Sequence, residues 1–141
     1  METKDKIVIT VESTINAPVK KVWEYWTKPE HITKWCSASP EWHTPSATND
    51  LRAGGSFNSR MEAKDGSMGF DFGGIYDAVE TNKLITYTMG DTRRAEIKFK
   101  EEGGKTKLTE SFEAETMNPV EMQRGGWQAI LDNFKKYTEE N

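Results

Sequence analysis

The polar side chain best suited to do chemistry in this sequence is Glu110, which lies among apolar neighbours. In a predicted strand over Thr106–Glu115 it alternates in phase with Leu108 and Phe112, so its carboxyl points toward the interior. Burial disfavours a charged carboxylate, so this group must be paired, hydrated, protonated or placed at a rim. It could hydrogen-bond a ligand or act as a general acid or base. The alternative is a β-bulge that turns Glu110 outward.

Two further polar side chains could act with Glu110. Gln123 lies four residues before Trp127, on the apolar side of a predicted C-terminal helix, and could orient a ligand. Tyr87 is a second candidate for an acid or base. The sequence contains no recognisable set of nucleophile, base and orienting group. We therefore assign no catalytic residue and treat an enzyme of the cyclase or hydrolase type as the second hypothesis, after a binding protein.

The single cysteine, Cys36, is interpreted as a buried or incidental thiol. A catalytic thiol needs a lowered pKa and a base within reach, and the sequence indicates neither, although His31 and His43 are near in the chain. These two histidines and Asp50 lack the spacing of a metal-ligand pair. We predict no metal site and no cofactor.

A long amphipathic helix is predicted over Asn118–Thr138 to cover these groups. Asn118 is the expected N-cap, and Pro119 fits the first helical turn. A helix of this length is about 30 Å long and needs a sheet to lie across. Its apolar side consists of Val120, Trp127, Ile130, Leu131, Phe134 and Tyr137.

A glycine pair, Gly125-Gly126, lies inside this predicted helix. Each glycine costs about 1 kcal/mol relative to alanine in a helix. A close approach of the sheet or an opening toward a cavity could explain the pair. Alternatively, Trp127 and its neighbours simply outweigh the loss.

The remaining chain predicts a sheet of six strands. Two short helices precede the second strand: one is opened by Pro18, and the other spans Pro29–Trp35. Residues 36 to 52 are predicted to be irregular, with Trp35 and Trp42 either forming a lid or packing on the rim of the sheet. This order predicts an α+β fold with residues 1–141 as a single domain. The six predicted strands are Lys6–Thr14, Ser56–Ala63, Phe70–Val79, Leu84–Met89, Arg94–Lys100 and Thr106–Glu115.

Composition narrows the function classes. The 141 residues carry a net charge of −4 without a block of lysines or arginines, which disfavours nucleic-acid binding. No apolar run approaches the roughly 20 residues that span a bilayer, and the first residues do not resemble a signal peptide. One cysteine excludes an intrachain disulfide. We expect a cytoplasmic protein that is a monomer or a weak dimer.

The order of elements, with particular residues in them, resembles the START-like superfamily, also called SRPBCC or birch-pollen-allergen-like. The branch that it resembles is that of the homologues of the heat-shock chaperone ATPase activator. The resemblance implies a helix-grip fold, in which a curved antiparallel sheet wraps around a long C-terminal helix. The matching residues are Asn16-Ala17-Pro18, Val22-Trp23, Pro29-Glu30, Trp35, Asp50 to Phe57, Gly74-Ile75-Tyr76, Asn82-Lys83-Leu84, Gly126-Trp127 and Leu131.

The resemblance also implies a cavity between the sheet and the helix. We expect this cavity to hold a small apolar or aromatic molecule, such as a lipid or a polyketide-like metabolite. A chaperone is a possible partner, because this branch takes its name from a chaperone regulator. The same aromatic side chains could instead simply fill the core. The candidate ligand-binding residues are Trp35, Trp42, Phe57, Ser59, Met61, Phe70, Phe72, Tyr76, Met89, Glu110, Phe112, Gln123, Trp127 and Leu131.

Overall fold

The computed structural model describes residues 7–141 and confirms the α+β class. Three helices accompany a curled antiparallel sheet, as in a helix-grip fold. The helices are α1 (Val19–Thr27), α2 (Pro29–Trp35) and α3 (Val120–Glu140). The strands are β1 (Val8–Ile15), β2 (Trp42–Asn49), β3 (Ser56–Ala63), β4 (Gly69–Glu80), β5 (Leu84–Met89), β6 (Arg94–Glu102) and β7 (Lys105–Glu113).

The sheet is a meander closed at one side by the first strand. Its order is β1-β7-β6-β5-β4-β3-β2, and every neighbouring pair is antiparallel. Short turns join successive strands from β2 to β7. Gly103 and Gly104 have φ values of +60° and +83°, which suits the two-residue turn between β6 and β7. The strand nearest the N-terminus therefore pairs with the last strand.

The sheet has seven strands, so the prediction of six is wrong. The additional strand is β2, which occupies residues predicted to be an irregular loop. Its sequence, WHTPSATN, is mostly polar, and its register with β3 shifts between His43 and Ser46, where Pro45 lies. Proline is tolerated in edge strands and at bulges because it cannot donate a ladder hydrogen bond. An edge strand of this kind lacks the apolar alternation that identifies a strand in sequence.

The long helix α3 lies along β1, the edge strand at the other side of the sheet. Its side chains Arg124, Gln128 and Lys135 donate hydrogen bonds to three backbone carbonyls of β1. The distances are 3.2 Å to Thr10, 3.2 Å to Glu12 and 2.7 Å to Thr14. The helix thereby covers an edge that could otherwise pair with another chain.

The predicted N-cap of this helix is also wrong. The residue before the first helical turn is Pro119, and it makes no side-chain capping bond. Asn118 instead donates its side-chain amide to the Glu115 carboxylate at 2.6 Å. The carbonyl of Asn118 accepts a bond of 2.8 Å from the Gln123 amide. Asn118 thus belongs to the turn between β7 and α3.

An aromatic cluster joins the helices beneath the sheet. Trp26 of α1 stacks on Trp35 of α2 with ring centroids 4.8 Å apart. Phe134 of α3 packs edge-on against both rings at 4.9 Å. These contacts fix the three helices relative to one another, so α3 is held over the concave face while the space beside the cluster stays open.

Candidate ligand-binding cavity

A cavity of about 300 Å³ lies between the concave face of the sheet and the three helices. Strands β3, β4, β5 and β7 form one wall, and side chains of α1, α2 and α3 form the other. The residues that line it are Trp26, Ile32, Trp35, Cys36, Phe57, Ser59, Met61, Phe70, Phe72, Tyr76, Ile85, Tyr87, Arg93, Glu110, Glu115, Gln123, Trp127 and Ile130.

Most of the candidate residues chosen from the sequence line this cavity. They lie on β3, β4 or β7, or on the helices that face these strands. These residues are Trp35, Phe57, Ser59, Met61, Phe70, Phe72, Tyr76, Glu110, Gln123 and Trp127.

Four candidate residues lie outside the cavity. Leu131, Met89 and Phe112 are buried in the surrounding core, and Phe112 stacks directly beneath Trp127 at 3.7 Å. Trp42 begins β2 and packs on Phe70, with ring centroids 5.8 Å apart. Trp42 and Trp35 do not form one lid, because Trp35 is buried at the end of α2.

Several lining residues were not among the sequence candidates. Trp26 and Ile32 come from the short helices α1 and α2, whose docking position could not be read from the chain. Ile85 shares the inward face of β5, where every second residue is buried, with Tyr87, which the sequence suggested only as an acid or base. The period-2 pattern of β5 was therefore sufficient to identify both residues as inward-facing.

The walls of the cavity are largely aromatic and packed against one another. Phe57 contacts Tyr76 at 5.0 Å and Tyr87 at 4.9 Å between ring centroids. Phe72 meets Trp127 edge-on at 6.0 Å. Because the rings are held by their neighbours, the apolar surface is preformed for a flat or apolar ligand.

Glu110 lies on this apolar wall, facing inward as its period predicts. The residue is only 6% exposed, and no hydrogen bond or ion pair to its side chain occurs among residues 7–141. Burial alone raises the pKa of its carboxyl to about 8, from an ordinary value of 4.5. At neutral pH the group is therefore mostly a neutral carboxylic acid that can donate a proton to a ligand.

Two weaker acids lie close to Glu110. Burial raises the pKa of the Tyr87 hydroxyl well above its ordinary value, and the Glu110 charge adds to that effect. Burial also raises the pKa of the Cys36 thiol to about 12. A thiol in this state is a poor nucleophile, which agrees with the interpretation of Cys36 as an inert side chain.

Gln123 faces the cavity but is already bonded. Its side-chain oxygen accepts from the Glu115 amide at 2.9 Å, and its side-chain nitrogen donates to the carbonyls of Glu115 and Asn118 at 3.0 and 2.8 Å. Gln123 therefore holds the turn before α3. Donation to a ligand would require the side-chain nitrogen to give up one of these bonds, whereas the side-chain oxygen keeps a second lone pair as an acceptor.

The charged side chains at one end of the cavity also have bonding partners. Arg93 donates to the Asp91 carboxylate at 2.8 Å and to the Glu113 carbonyl at 3.1 Å. Glu115 accepts from the backbone amides of Met117 and Asn118 at 2.7 Å each, and its bonds to Asn118 lower the pKa of its carboxyl. These groups form a polar rim that is satisfied by its own contacts.

A surface groove continues from the cavity toward solvent. It shares Met61, Phe70 and Trp127 with the cavity and extends past Trp42 and Gly126. A Cβ atom added at Gly125 or Gly126 would meet nothing within 4 Å. A close approach of the sheet therefore does not explain the glycine pair, and the helix surface is open at this point.

The described residues support neither a metal site nor a membrane-spanning helix. Within residues 7–141, no group of three or more His, Cys, Asp or Glu side chains is placed to hold a metal ion. None of the helices in that range is long and apolar enough to cross a membrane.

Comparisons with known proteins agree with this architecture. The family model of activator of Hsp90 ATPase homolog 1-like proteins matches residues 16–139. An AHSA1-like protein from Aeromonas hydrophila is 42% identical, with a TM-score of 0.90 over 95% of this chain and 93% of that one. Chr148 from Cytophaga hutchinsonii is 60% identical, with a TM-score of 0.81 over 94% and 92% of the two chains.

A more distant solved structure shares the fold alone. NE0264 from Nitrosomonas europaea is 21% identical, with a TM-score of 0.81 over 95% of each chain. No protein with a curated description matches the chain.

Proposed function

The chain belongs to the family of activator of Hsp90 ATPase homolog 1-like proteins, and from this premise we propose that it binds a small, largely apolar molecule in its cavity. The observation that carries this proposal is the cavity of about 300 Å³ with largely aromatic walls. Small-molecule sites are mostly apolar, with few polar groups that fix orientation. Glu110, Tyr87 and Ser59 are lining polar side chains without a hydrogen-bond partner among residues 7–141, and Glu110 is the one of these three that carries a carboxyl group.

The size of the cavity limits the ligand. Its volume lies at the lower end of the range for small-molecule pockets, which runs from about 300 to 1,000 Å³. A molecule of two or three fused rings, or a short acyl chain, is the class that fits. Larger lipids would need the groove beside Trp42 and Gly126 for part of their length.

An enzymatic use of the same cavity is a second proposal, and one observation favours it. A carboxyl with a pKa of about 8 is suited to give and take protons near neutral pH. Glu110 would then be the acid or base of a cyclisation or hydrolysis. Turnover of a bound molecule, lost in a Glu110→Gln variant, is the result that would establish this function.

A chaperone partner is a third proposal and rests on the name of the family. A pull-down with the chaperone, together with stimulation of its ATPase, tests it directly. The unpaired Cys36 is consistent with a reducing compartment such as the cytoplasm, where such a partner would be met.

The binding proposal is tested with fluorene, a neutral tricyclic hydrocarbon. Trp26, Trp35 and Trp127 line the cavity, so a bound aromatic molecule should change the tryptophan fluorescence, and it should raise the melting temperature with concentration. A Ser59→Phe variant places a ring in the cavity and should lower the affinity by about tenfold or more.

Ser59→Ala is the matched control for that variant. It removes the hydroxyl at the same buried position without filling the space, so it should bind fluorene as the wild type does. Equal binding by Ser59→Phe and Ser59→Ala would place fluorene elsewhere on the protein. Absence of binding by the wild type would contradict the proposal.

A further inference from the structure

We propose that the cavity selects ligands that carry a neutral carbonyl oxygen, which accepts hydrogen bonds from both the Glu110 carboxyl and the Tyr87 hydroxyl. The inference rests on the binding function proposed above and names the class of ligand. It stands on the position of two polar groups that share one apolar space and have no partner among residues 7–141.

The register of the sheet places these two groups on the same face. Ile97 of β6 pairs with Glu110 of β7 and with Ile85 of β5. Ala95 of β6, two residues away, pairs with Tyr87. Glu110 and Tyr87 are therefore diagonal neighbours across one strand, and two strand spacings of about 4.8 Å with an offset of two residues, about 6.8 Å, place their backbones about 12 Å apart.

The intervening strand contributes one small side chain next to Tyr87. Ala95 lies beside Tyr87 on the intervening strand and carries only a methyl group. Both long side chains can extend over this strand into the cavity, which they both line. They are close enough that the charge of Glu110 affects the ionisation of Tyr87.

Neither group has a hydrogen-bond partner among the described residues. Tyr76, another cavity tyrosine, differs in this respect, because its hydroxyl donates to Asn49 at 2.5 Å. A buried polar group without a partner carries a desolvation cost that a ligand can remove. The ligand should therefore supply what the cavity lacks beside Glu110 and Tyr87, which is an acceptor.

The protonation state of Glu110 decides whether the favoured ligand is a hydrogen-bond acceptor or a cation. An apolar site can keep a carboxylic acid neutral at pH 7, so that it donates a hydrogen bond. The titratable and charged groups that line the cavity with it are Tyr76 from β4, Tyr87 from β5, Cys36 after α2, Arg93 before β6 and Glu115 after β7. Helix α3 contributes uncharged lining side chains, Gln123, Trp127 and Ile130.

Glu110 is also the group that titrates in the accessible pH range. Burial raises the pKa of Cys36 to about 12 and that of Tyr87 well above its ordinary value. Arg93 is held by Asp91. Between neutral pH and about pH 9, Glu110 is therefore the member of the donor pair that loses its proton. A carbonyl ligand should be released as the pH rises through about 8, because one of its two hydrogen-bond donors is lost.

The experiment compares three molecules of one shape: 9-fluorenone, fluorene and 9-aminofluorene. They differ at one position, which is a carbonyl, a methylene or an amine. We expect the wild type to bind fluorenone about tenfold to a hundredfold more tightly than fluorene at pH values below 8. This preference should fall when the measurement is repeated above pH 8.

Two variants separate the donor pair from the cavity itself. Glu110→Gln keeps an N–H donor at every pH, so fluorenone should remain preferred and the pH dependence should disappear. Tyr87→Phe should lower the affinity for fluorenone by about tenfold, with fluorene unchanged. Neither effect follows if these side chains only fill space.

Each other outcome overturns a stated claim. Equal affinity for fluorene and fluorenone would overturn the donor pair and leave the proposed cavity intact. A preference for 9-aminofluorene that grows as the pH rises through 8 would mean that Glu110 binds amines as a carboxylate, and it would overturn the proposed donor pair. If the wild type binds none of the three, the proposed function itself fails.

Discussion

At the scale of single residues, the unusual feature is a carboxyl group placed where a hydrophobic side chain would be more stable. Glu110 alternates with Leu108 and Phe112, both essentially inaccessible, and carries the cost of burial without a partner among the described residues. A protein that needed only a packed core would gain stability from an apolar residue there. An unpartnered carboxyl at this position is consistent with the ligand contact proposed above.

The energetic cost of Glu110 should appear in the pH dependence of stability. Its pKa is about 8 in the folded protein and has an ordinary value of 4.5, so the folded state holds the proton more tightly. The contribution is fully present below pH 4.5 and is lost as the pH rises toward 8. The free energy of unfolding of the wild type should fall across this window by at most about 5 kcal/mol, counting about 1.4 kcal/mol per pH unit.

Glu110→Gln is the control for this measurement, because its amide does not titrate. Urea unfolding at a series of pH values should give a steeper loss of stability for the wild type than for the variant between pH 4.5 and 8. Parallel curves for the two proteins would mean that Glu110 is ionised and hydrated in the folded state.

At the scale of elements, each edge of the sheet is covered by a helix. Helix α3 bonds to the carbonyls of β1, and α2 packs along β2. At the β2 edge, Thr44 donates to the Cys36 carbonyl and Asn49 donates to the Thr27 carbonyl. This arrangement protects both edge strands and holds the two helices apart across the cavity.

The glycines of α3 are predicted to weaken the helix without serving the packing. Gly125 is exposed, and an added Cβ would meet nothing within 4 Å. Gly125→Ala should raise the free energy of unfolding by about 1 kcal/mol, because alanine loses less backbone entropy in a helix. Chemical denaturation measures this change.

Gly74→Ala is the opposite case and serves as the comparison. A Cβ at Gly74 would lie 2.3 Å from the Thr88 carbonyl oxygen, so this variant should be destabilised. If Gly125→Ala were also destabilising, the helix surface at Gly125 would not be open in solution, and the explanation of the glycine pair would be wrong.

Elements were predicted well from the sequence where residues near in the chain determine them, and poorly where contacts with other elements do. Helix α2 was predicted with its observed bounds, because Pro29 opens it and the apolar pattern ends at Trp35. Strands β3 and β5 were equally clear from alternation. Strand β2 was missed because its stability comes from β3 and α2 rather than from its own polar sequence.

The same distinction applies to the site. The inward direction of Glu110 followed from period 2, which is local. The bonds that commit Gln123 depend on the turn before α3, and the contribution of Trp26 depends on how α1 docks. Neither could be obtained from spacing along the chain.

At the scale of the whole molecule, the fold leaves a space because three helices cover one curled sheet without filling it. The aromatic cluster of Trp26, Trp35 and Phe134 supports one end of this space, and the polar rim of Arg93 and Glu115 closes the other. The groove beside Gly126 shares Met61, Phe70 and Trp127 with this space. The concave face is therefore the face proposed to bind a ligand, and the convex face is left to solvent.

The most direct test of that assignment is the set of nuclear Overhauser effects between bound fluorene and the protein in solution. We predict contacts from the ring protons to the Met61 methyl, the Trp127 indole and the Tyr87 ring, which all line the cavity. Contacts to Val8 or Ile75, which are exposed on the sheet, would contradict the account. A titration that perturbs no residue of the cavity would contradict it equally.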